Sequence, residues 1–359
     1  MPTVRFAGTV TGERDPNREI RARLLGELFA AGWNIYNSNG DQRISLSNIE
    51  KKIIESDAFL FTPGATLEDL FKAVSIFVGY QTLDKHLAGK PTVLLNTDGS
   101  WDPLFTLFTH LHGLGTIRQD HRDYLLMADE VSQVVPMLET ARTRGVPEVP
   151  HEHIPAISAG SFENPPPAGH LGNVCVFCSA SIADPAYLDD GYTFGRTLAD
   201  ARLGCVSGAG NSGIMGEVVR GAVEAGGWAA GSNVPHIIEL EGLPTGLSSF
   251  WLKPDIYTRM EVMIDNSDAF VIFPGGAGTV QEMLALMIFK QQRNPALEGK
   301  PVIIFDRKDA TTGTGFWGPL IGMLRPWHRD GGFTVVEELD QIIPTARALM
   351  GGGVRKLSA

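Results

Sequence analysis

The stretch Asp268-Ala269-Phe270-Val271-Ile272-Phe273-Pro274-Gly275-Gly276-Ala277-Gly278-Thr279-Val280-Gln281-Glu282 sets the fold of this chain. A short apolar run rich in β-preferring residues meets a Pro-Gly-Gly turn, and beyond it Val280, Met283, Leu284, Met287 and Ile288 recur at helical spacing. A strand, a glycine turn and a helix are expected in that order. Backbone without Cβ atoms admits a ligand closely, and free N–H groups at a helix start favour negative charge. The turn through Gly275, Gly276 and Gly278 therefore suits a phosphate or carboxylate, and Thr279 adds a hydroxyl. Glu282 lies one turn into the helix, placed to face the same ligand. Thr279-x-x-Glu282 is equally the spacing of a capping box, in which both side chains only satisfy the helix's own N–H groups.

Outward from this stretch, strands alternate with helices, the pattern of parallel sheets covered on both faces. Upstream, strands are expected over residues 173–178, 205–207 and 228–231, with a further short one at 237–239. Helices are expected over 185–203, from the turn at 208–216 to about 225, and over 258–266, the last opened by a capping box at Thr258-x-x-Glu261. Downstream come a strand at 302–305 and helices over 316–324 and 336–350. Earlier in the chain the same signals give strands at 3–8, 33–37, 58–62 and 92–95. They give helices over 17–31, 46–55, 67–80, 101–110 and 120–142.

The 359 residues exceed one ordinary domain. Between the two α/β stretches lies a segment of Pro, Gly, Ser, Glu and His without periodicity, ending in Pro165-Pro166-Pro167, which has the composition of a linker. The expected division is an α/β domain over 1–145, a linker over 146–171, a second α/β domain over 172–350 and a frayed tail over 351–359. His151-Glu152-His153 in the linker is read as solvated polar sequence rather than a metal site.

The two α/β stretches resemble each other. Ile54-Glu55-Ser56-Asp57-Ala58-Phe59-Leu60-Phe61-Thr62-Pro63-Gly64 runs parallel to Ile264-Asp265-Asn266-Ser267-Asp268-Ala269-Phe270-Val271-Ile272-Phe273-Pro274-Gly275, and Gly89-Lys90-Pro91 to Gly299-Lys300-Pro301. The fold class expected is α/β: two Rossmann-like, doubly wound parallel-sheet units in tandem, the first degenerate. The first copy reads Pro63-Gly64-Ala65-Thr66 where the second has Pro274-Gly275-Gly276-Ala277-Gly278-Thr279, and so has lost glycines. Asp69 replaces Glu282, Asn48 replaces Arg259, and the stretch corresponding to 211–254 is missing. On this pattern the first copy kept the fold and lost the site.

A net charge of −11 opposes binding of a polyanionic nucleic acid, which needs a positive surface to release counterions. No run of about 18 apolar residues predicts a membrane span, and the N-terminus lacks the zones of a secretory signal, so a cytoplasmic location is expected. Cys175, Cys178 and Cys205 are too few for a disulfide framework and fall in apolar strand-like runs, so buried thiols are expected.

Gly208-x-Gly210-x-x-Gly213 matches the dinucleotide fingerprint in form. That fingerprint belongs after the first strand of its unit, with an acidic residue about 20 positions on to hold a ribose. Here it follows the second strand and no acid is placed at a strand end, so a mononucleotide is favoured over NAD. Two glycine turns entering helices on one sheet edge converge on one crevice. Arg259, at the start of the helix leading into the focal strand, can pair with Glu282 or grip a phosphate.

Ser207 to Gly216, Arg259 and Pro274-Gly275-Gly276-x-Gly278-Thr279-x-x-Glu282 together resemble the Lonely-guy (LOG) phosphoribohydrolases, often labelled lysine decarboxylases. Lys253-Pro254-Asp255-Ile256-Tyr257-Thr258-Arg259-Met260-Glu261 is similar to the bacterial nucleotide 5'-monophosphate nucleosidases of that family. The resemblance departs at Arg259-Met260, where the plant-hormone-activating branch usually has Arg-Lys, and at Cys178-Ser179-Ala180-Ser181. It implies hydrolysis of the N-glycosidic bond of a nucleoside 5'-monophosphate to free base and ribose 5-phosphate, without metal or organic cofactor. Glu282 and Arg259 would be catalytic, Gly275, Gly276, Gly278 and Thr279 would hold the phosphate, and Gly210, Ser212, Gly213 and Met215 would line the ribose and base. It also implies a homo-oligomer, a dimer or larger. The competing expectation is a nucleotide or cofactor carrier on the same fold, which binds without turnover.

Overall fold

The computed structural model describes residues 1–7, 16–37, 55–149, 160–328 and 332–351, and the chain divides after Pro150 into two units. Residues 46–54 of the helix expected over 46–55, Asn48, His151-Glu152-His153 and the tail beyond 351 lie outside the described residues.

The first unit holds strands β1 (Thr3–Ala7), β2 (Asn34–Asn37), β3 (Ala58–Phe61), β4 (Thr92–Leu95) and β5 (Leu125–Ala128). They form one parallel sheet in the order β2-β1-β3-β4-β5. Helices α1 (Arg18–Ala30), α2 (Leu67–Gln81), α3 (Asp102–Gly113) and α4 (Val131–Arg144) connect or follow the strands. Leu24 and Leu28 of α1 and Val134 and Leu138 of α4 close over Val4, Leu60, Val93 and Leu95 of the sheet. The helix expected over 120–142 is corrected. Asp120 caps a single 3-10 turn, His121–Asp123, and β5 follows before a capping box of Glu130 and Gln133 opens α4. Pairing with β4 along Leu125 to Ala128 outweighs local helical spacing.

The second unit holds β6 (Asn173–Phe177), β7 (Gly204–Ser207), β8 (Ala229–Asn233), β9 (Ser249–Leu252), β10 (Ala269–Ile272), β11 (Val302–Phe305) and β12 (Thr334–Val336), all parallel, in the order β12-β11-β10-β6-β7-β8-β9. Its helices are α5 (Pro185–Asp200), α6 (Gly213–Glu224), α7 (Pro235–Glu241), α8 (Ile256–Asp265), α9 (Ala277–Gln291), α10 (Gly318–Leu324) and α11 (Ile342–Gly351). Every residue of β7, β8, β10 and β11 is buried, as a sheet covered on both faces requires. Helices α5 and α6 pack backbone to backbone: a Cβ on Gly195 would strike the carbonyl of Val218, and one on Gly221 that of Tyr192.

Residues 237–239 are helical in α7, entered through Pro235 at its first position, rather than a strand. Strands β9 and β12 were not signalled by the sequence. The outer edge of β9 is lined by residues 161–164 of the Pro-rich segment: Phe162 bridges antiparallel to Phe250, and Asn164 exchanges hydrogen bonds with Ser249. Among the described residues no helix is long and apolar enough to cross a membrane, and Cys175, Cys178 and Cys205 are buried free thiols.

The run β12-β11-β10-β6-β7 has the order of β5-β4-β3-β1-β2 in the first unit. Among the described residues the first sheet has no counterpart of β8 and β9. In the second sheet the chain moves outward from β6 through β7, β8 and β9, then returns to the other side of β6 with β10. That reversal makes the carboxyl ends of β6 and β10 the topological switch point, the place where a crevice for ligands is expected in open α/β sheets.

Candidate active site

Helix α9 starts at the crevice directly from the turn after β10. Its N-cap is Gly276, extended and without a side-chain cap, so Thr279 is the third residue of the helix and Glu282 the sixth. The capping-box alternative is therefore discarded for this pair. Among the described residues, the N–H groups of Gly275, Gly276, Ala277, Gly278 and Thr279 meet no protein acceptor. Five open donors at the positive end of a helix form a seat for an anion. Thr279 leans over Gly275, where any Cβ would overlap its hydroxyl, whereas a Cβ on Gly278 would meet nothing within 4 Å.

The first unit shows what those two extra residues do. There Thr66 is itself the N-cap of α2: its side chain accepts from the Asp69 N–H while Asp69 accepts from Thr66, a complete capping box. Ser100 Oγ takes the N–H groups of Gly64 and Ala65 at 3.0 and 3.2 Å. No N–H of that turn from Gly64 to Thr66 remains for a ligand. The added turn in the second unit starts the helix earlier and releases Thr279 and Glu282 from capping.

Glu282 is 7% exposed and its carboxyl group has no hydrogen-bond donor among the described residues. Burial pushes its pKa up to about 8, the Arg259 cation pulls it back down, and the nearby Glu241 carboxyl pushes it up. Such a group is poised to exchange a proton near neutral pH.

Arg259 stands in the second turn of α8, further in than the sequence suggested. The helix begins after Asp255, whose side chain accepts from the N–H groups of Tyr257 and Thr258 at 2.9 and 2.8 Å. The capping box expected at Thr258 and Glu261 is thus replaced by an aspartate cap three residues earlier. From α8 the guanidinium reaches across the ends of β7 and β8. Its Nε donates to the Ser232 carbonyl at 2.8 Å and its Nη2 to the Gly208 carbonyl at 3.0 Å. Gly208 has no room for a side chain because Arg259 Nη2 occupies it. Two backbone carbonyls fix the plane of the cation and leave Nη1 without a partner among the described residues.

The 208–213 turn is built tightly. Ala209 takes φ +54°, a conformation costly for any residue but glycine, and Asn233 Nδ2 holds its carbonyl at 3.3 Å. The Gly210 N–H points to Met215 Sδ at 3.0 Å. Ser212 Oγ donates to the Ala180 carbonyl at 2.8 Å, and Gly213, at φ +59°, sits against the Ser179 and Ala180 backbone. Gly210 and Met215 therefore face the Arg259 side of the crevice, while Ser212 and Gly213 tie the turn to the loop after β6. Among the described residues no cluster of His, Cys, Asp and Glu could hold a metal ion.

One group in this site escaped the sequence. Glu241, the last residue of α7, brings its carboxyl over Gly210: a Cβ on that glycine would strike Glu241 Oε2. It influences both Arg259 and Glu282 electrostatically. No local motif announces it, because it comes from a helix between β8 and β9 that approaches the turn only in three dimensions.

The model of the family described as "Possible lysine decarboxylase" matches residues 27–138 and 215–349. The chain is similar to an Oryza sativa protein named probable cytokinin riboside 5'-monophosphate phosphoribohydrolase LOGL1, with 26% identity over 51% of this chain and 79% of the relative. An Arabidopsis thaliana protein named probable cytokinin riboside 5'-monophosphate phosphoribohydrolase LOG6 is 34% identical over 36% of this chain and 64% of its own length. The cytokinin riboside 5'-monophosphate phosphoribohydrolase of Mycobacterium tuberculosis is 30% identical over 31% of this chain and 59% of its own length. The chain thus spans less than two thirds of the latter two relatives. Among solved structures, the Moco carrier protein of Chlamydomonas reinhardtii aligns with 51% of this chain and 99% of its own, at 18% identity and a TM-score of 0.40.

Proposed function

Because this chain belongs to the family described as "Possible lysine decarboxylase", the LOG family, we propose that its second unit hydrolyses the N-glycosidic bond of a nucleoside 5'-monophosphate. The observation that carries the reading is the Glu282 carboxyl: almost fully buried, without a donor among the described residues, in the field of Arg259 and one turn beyond five open N–H groups. The names of the relatives, phosphoribohydrolases acting on riboside 5'-monophosphates, support the same class of substrate.

In this mechanism the 5'-phosphate sits on the N–H groups of Gly275 to Thr279 and the sugar spans toward Gly210 and Met215. The C1'–N bond breaks through an oxocarbenium-like transition state, its electron pair passing to the base nitrogen. Ionised Glu282 stabilises the positive charge on C1' and takes a proton from the water that adds there. The base nitrogen takes a proton from water while Glu282 returns the one it took to solvent, and ribose 5-phosphate and free base leave. Arg259, fixed by the Ser232 and Gly208 carbonyls, favours the ionised form of Glu282 against the effect of burial and orients the sugar phosphate.

A decarboxylase working through a lysine Schiff base needs a free amine at the crevice. Burial lowers the pKa of Lys290 and Lys300, but both amines donate to backbone carbonyls, of Lys300 and Ile264 respectively. Incubating the full-length protein with a panel of nucleoside 5'-monophosphates, with chromatography of the products, tests the proposal. Release of free base and ribose 5-phosphate in equal amounts is expected. Tight binding of a nucleotide with no base released from any member of the panel would establish a carrier instead.

A further inference from the structure

The glycine turn 208–213 has the form of a ribose-binding fingerprint but lacks its acid in sequence; the fold supplies one. Glu241 lies against Gly210 with Oε2 buried and without a hydrogen-bond partner. No donor reaches its other carboxyl oxygen among the described residues either. Its main-chain carbonyl accepts from the Asn211 N–H at 3.2 Å and so fixes α7 to the turn.

Three local costs meet at this side chain. A carboxyl group at the C-terminal end of a helix is opposed by the helix dipole. Its buried oxygen forgoes hydrogen bonding. It also stands near a second buried carboxyl, that of Glu282. Among the described residues the Arg259 cation is what offsets them. Buried polar groups in folded proteins are almost always satisfied, so an acid left open in a crevice is suited to a ligand's donors.

The ligand's chemistry follows from position. With the phosphate on the start of α9 and C1' beside Glu282, the remaining hydroxyls of the sugar are what reach the 208–210 turn. We propose that Glu241 is the ribose-binding acid of this site, accepting a hydrogen bond from the 2'-hydroxyl and thereby selecting ribonucleotides over 2'-deoxyribonucleotides. This rests on the sugar-phosphate orientation proposed above. It is the role an acid plays toward the ribose 2'-hydroxyl in dinucleotide-binding folds, filled here from a different element of the chain.

The test compares full-length wild type, Glu241→Gln and Glu241→Ala. Calorimetry measures binding of ribose 5-phosphate and 2-deoxyribose 5-phosphate, and turnover is measured on matched ribo- and 2'-deoxyribonucleoside 5'-monophosphates. Wild type should prefer the ribo compound by roughly 10- to 100-fold, the value of a hydrogen bond to a charged group. Both variants should lose most of that preference while their affinity for the deoxy compound changes by less than about threefold. Equal weakening toward both sugars would mark Glu241 as structural and overturn the proposal. So would an unchanged preference in the variants, or a wild type indifferent to the 2'-hydroxyl. Melting curves identify a variant that fails to fold, and the isosteric Gln variant then decides. Sugar discrimination without base release would refute the hydrolase and leave the subsite standing; base release without discrimination does the reverse.

Discussion

Glu282 keeps a proton in the folded protein that the unfolded chain gives up. Its ordinary pKa is 4.5 and burial raises it to about 8, so the folded state binds more protons between those values and stability falls as pH rises through that window. Glu282→Gln should abolish base release, by about 100-fold or more for a lost charged transition-state group. The same variant should melt at or above the wild-type temperature at pH 8.5 and lose that advantage at pH 4.5, in parallel thermal scans. With ionised Glu282 as the working form, kcat/KM of the wild type should rise with pH and level off above about 8. A profile that falls through the same region would make Glu282 a proton donor to the base instead. Arg259→Lys replaces a fork held by the Ser232 and Gly208 carbonyls with a single point charge. It should lower kcat/KM by at least about tenfold, and Arg259→Ala should move the pH inflection upward, since the cation that favours the ionised carboxyl is gone.

At the scale of elements, the starts of α2 and α9 share a sequence pattern and differ in where the helix begins. Thr66 and Asp69 spend their side chains on a capping box, whereas Thr279 and Glu282 lie inside a helix that starts uncapped at Gly276. Thr66→Ala should therefore cost about 1 kcal/mol of stability and leave turnover untouched, measured by denaturant titration and base release on the same sample. Asp255 is the converse case. It caps α8 through the N–H groups of Tyr257 and Thr258 and so sets the pose of Arg259. Asp255→Ala should cost about 0.5–2 kcal/mol and also reduce turnover, with the pH inflection displaced as in the Arg259 variants.

At the scale of the molecule, the second sheet reverses direction at β6 and β10, and that reversal gathers Glu282, Arg259, Gly210 and Glu241 from four separate connections. The first sheet has its own vulnerable point. His121 is 1% exposed, both ring nitrogens lack hydrogen-bond partners among the described residues, and its ring packs edge-on to Phe105 and Phe108. Burial lowers its pKa to about 4, partly offset by the Asp120 carboxylate 3.6 Å from Nδ1. A depressed histidine pKa means that the unfolded chain takes up the proton first. The first unit should lose stability as pH falls from about 6.5 to about 4, seen as faster amide exchange in α3 and β5. His121→Phe should remove that dependence. The alternation of strands and helices, the glycine turns and the candidate residues Glu282 and Arg259 were legible in the sequence, because period and turn chemistry are local properties. The strands β5, β9 and β12 were not, because what defines them is pairing along β4, β8 and β11, which is not a local property. Whether Thr279 and Glu282 cap a helix or stand free, and that Glu241 rests on Gly210, were settled only in three dimensions. A helix start depends on the backbone around it, and a contact between a helix end and a distant turn exists only once the sheet between them has formed.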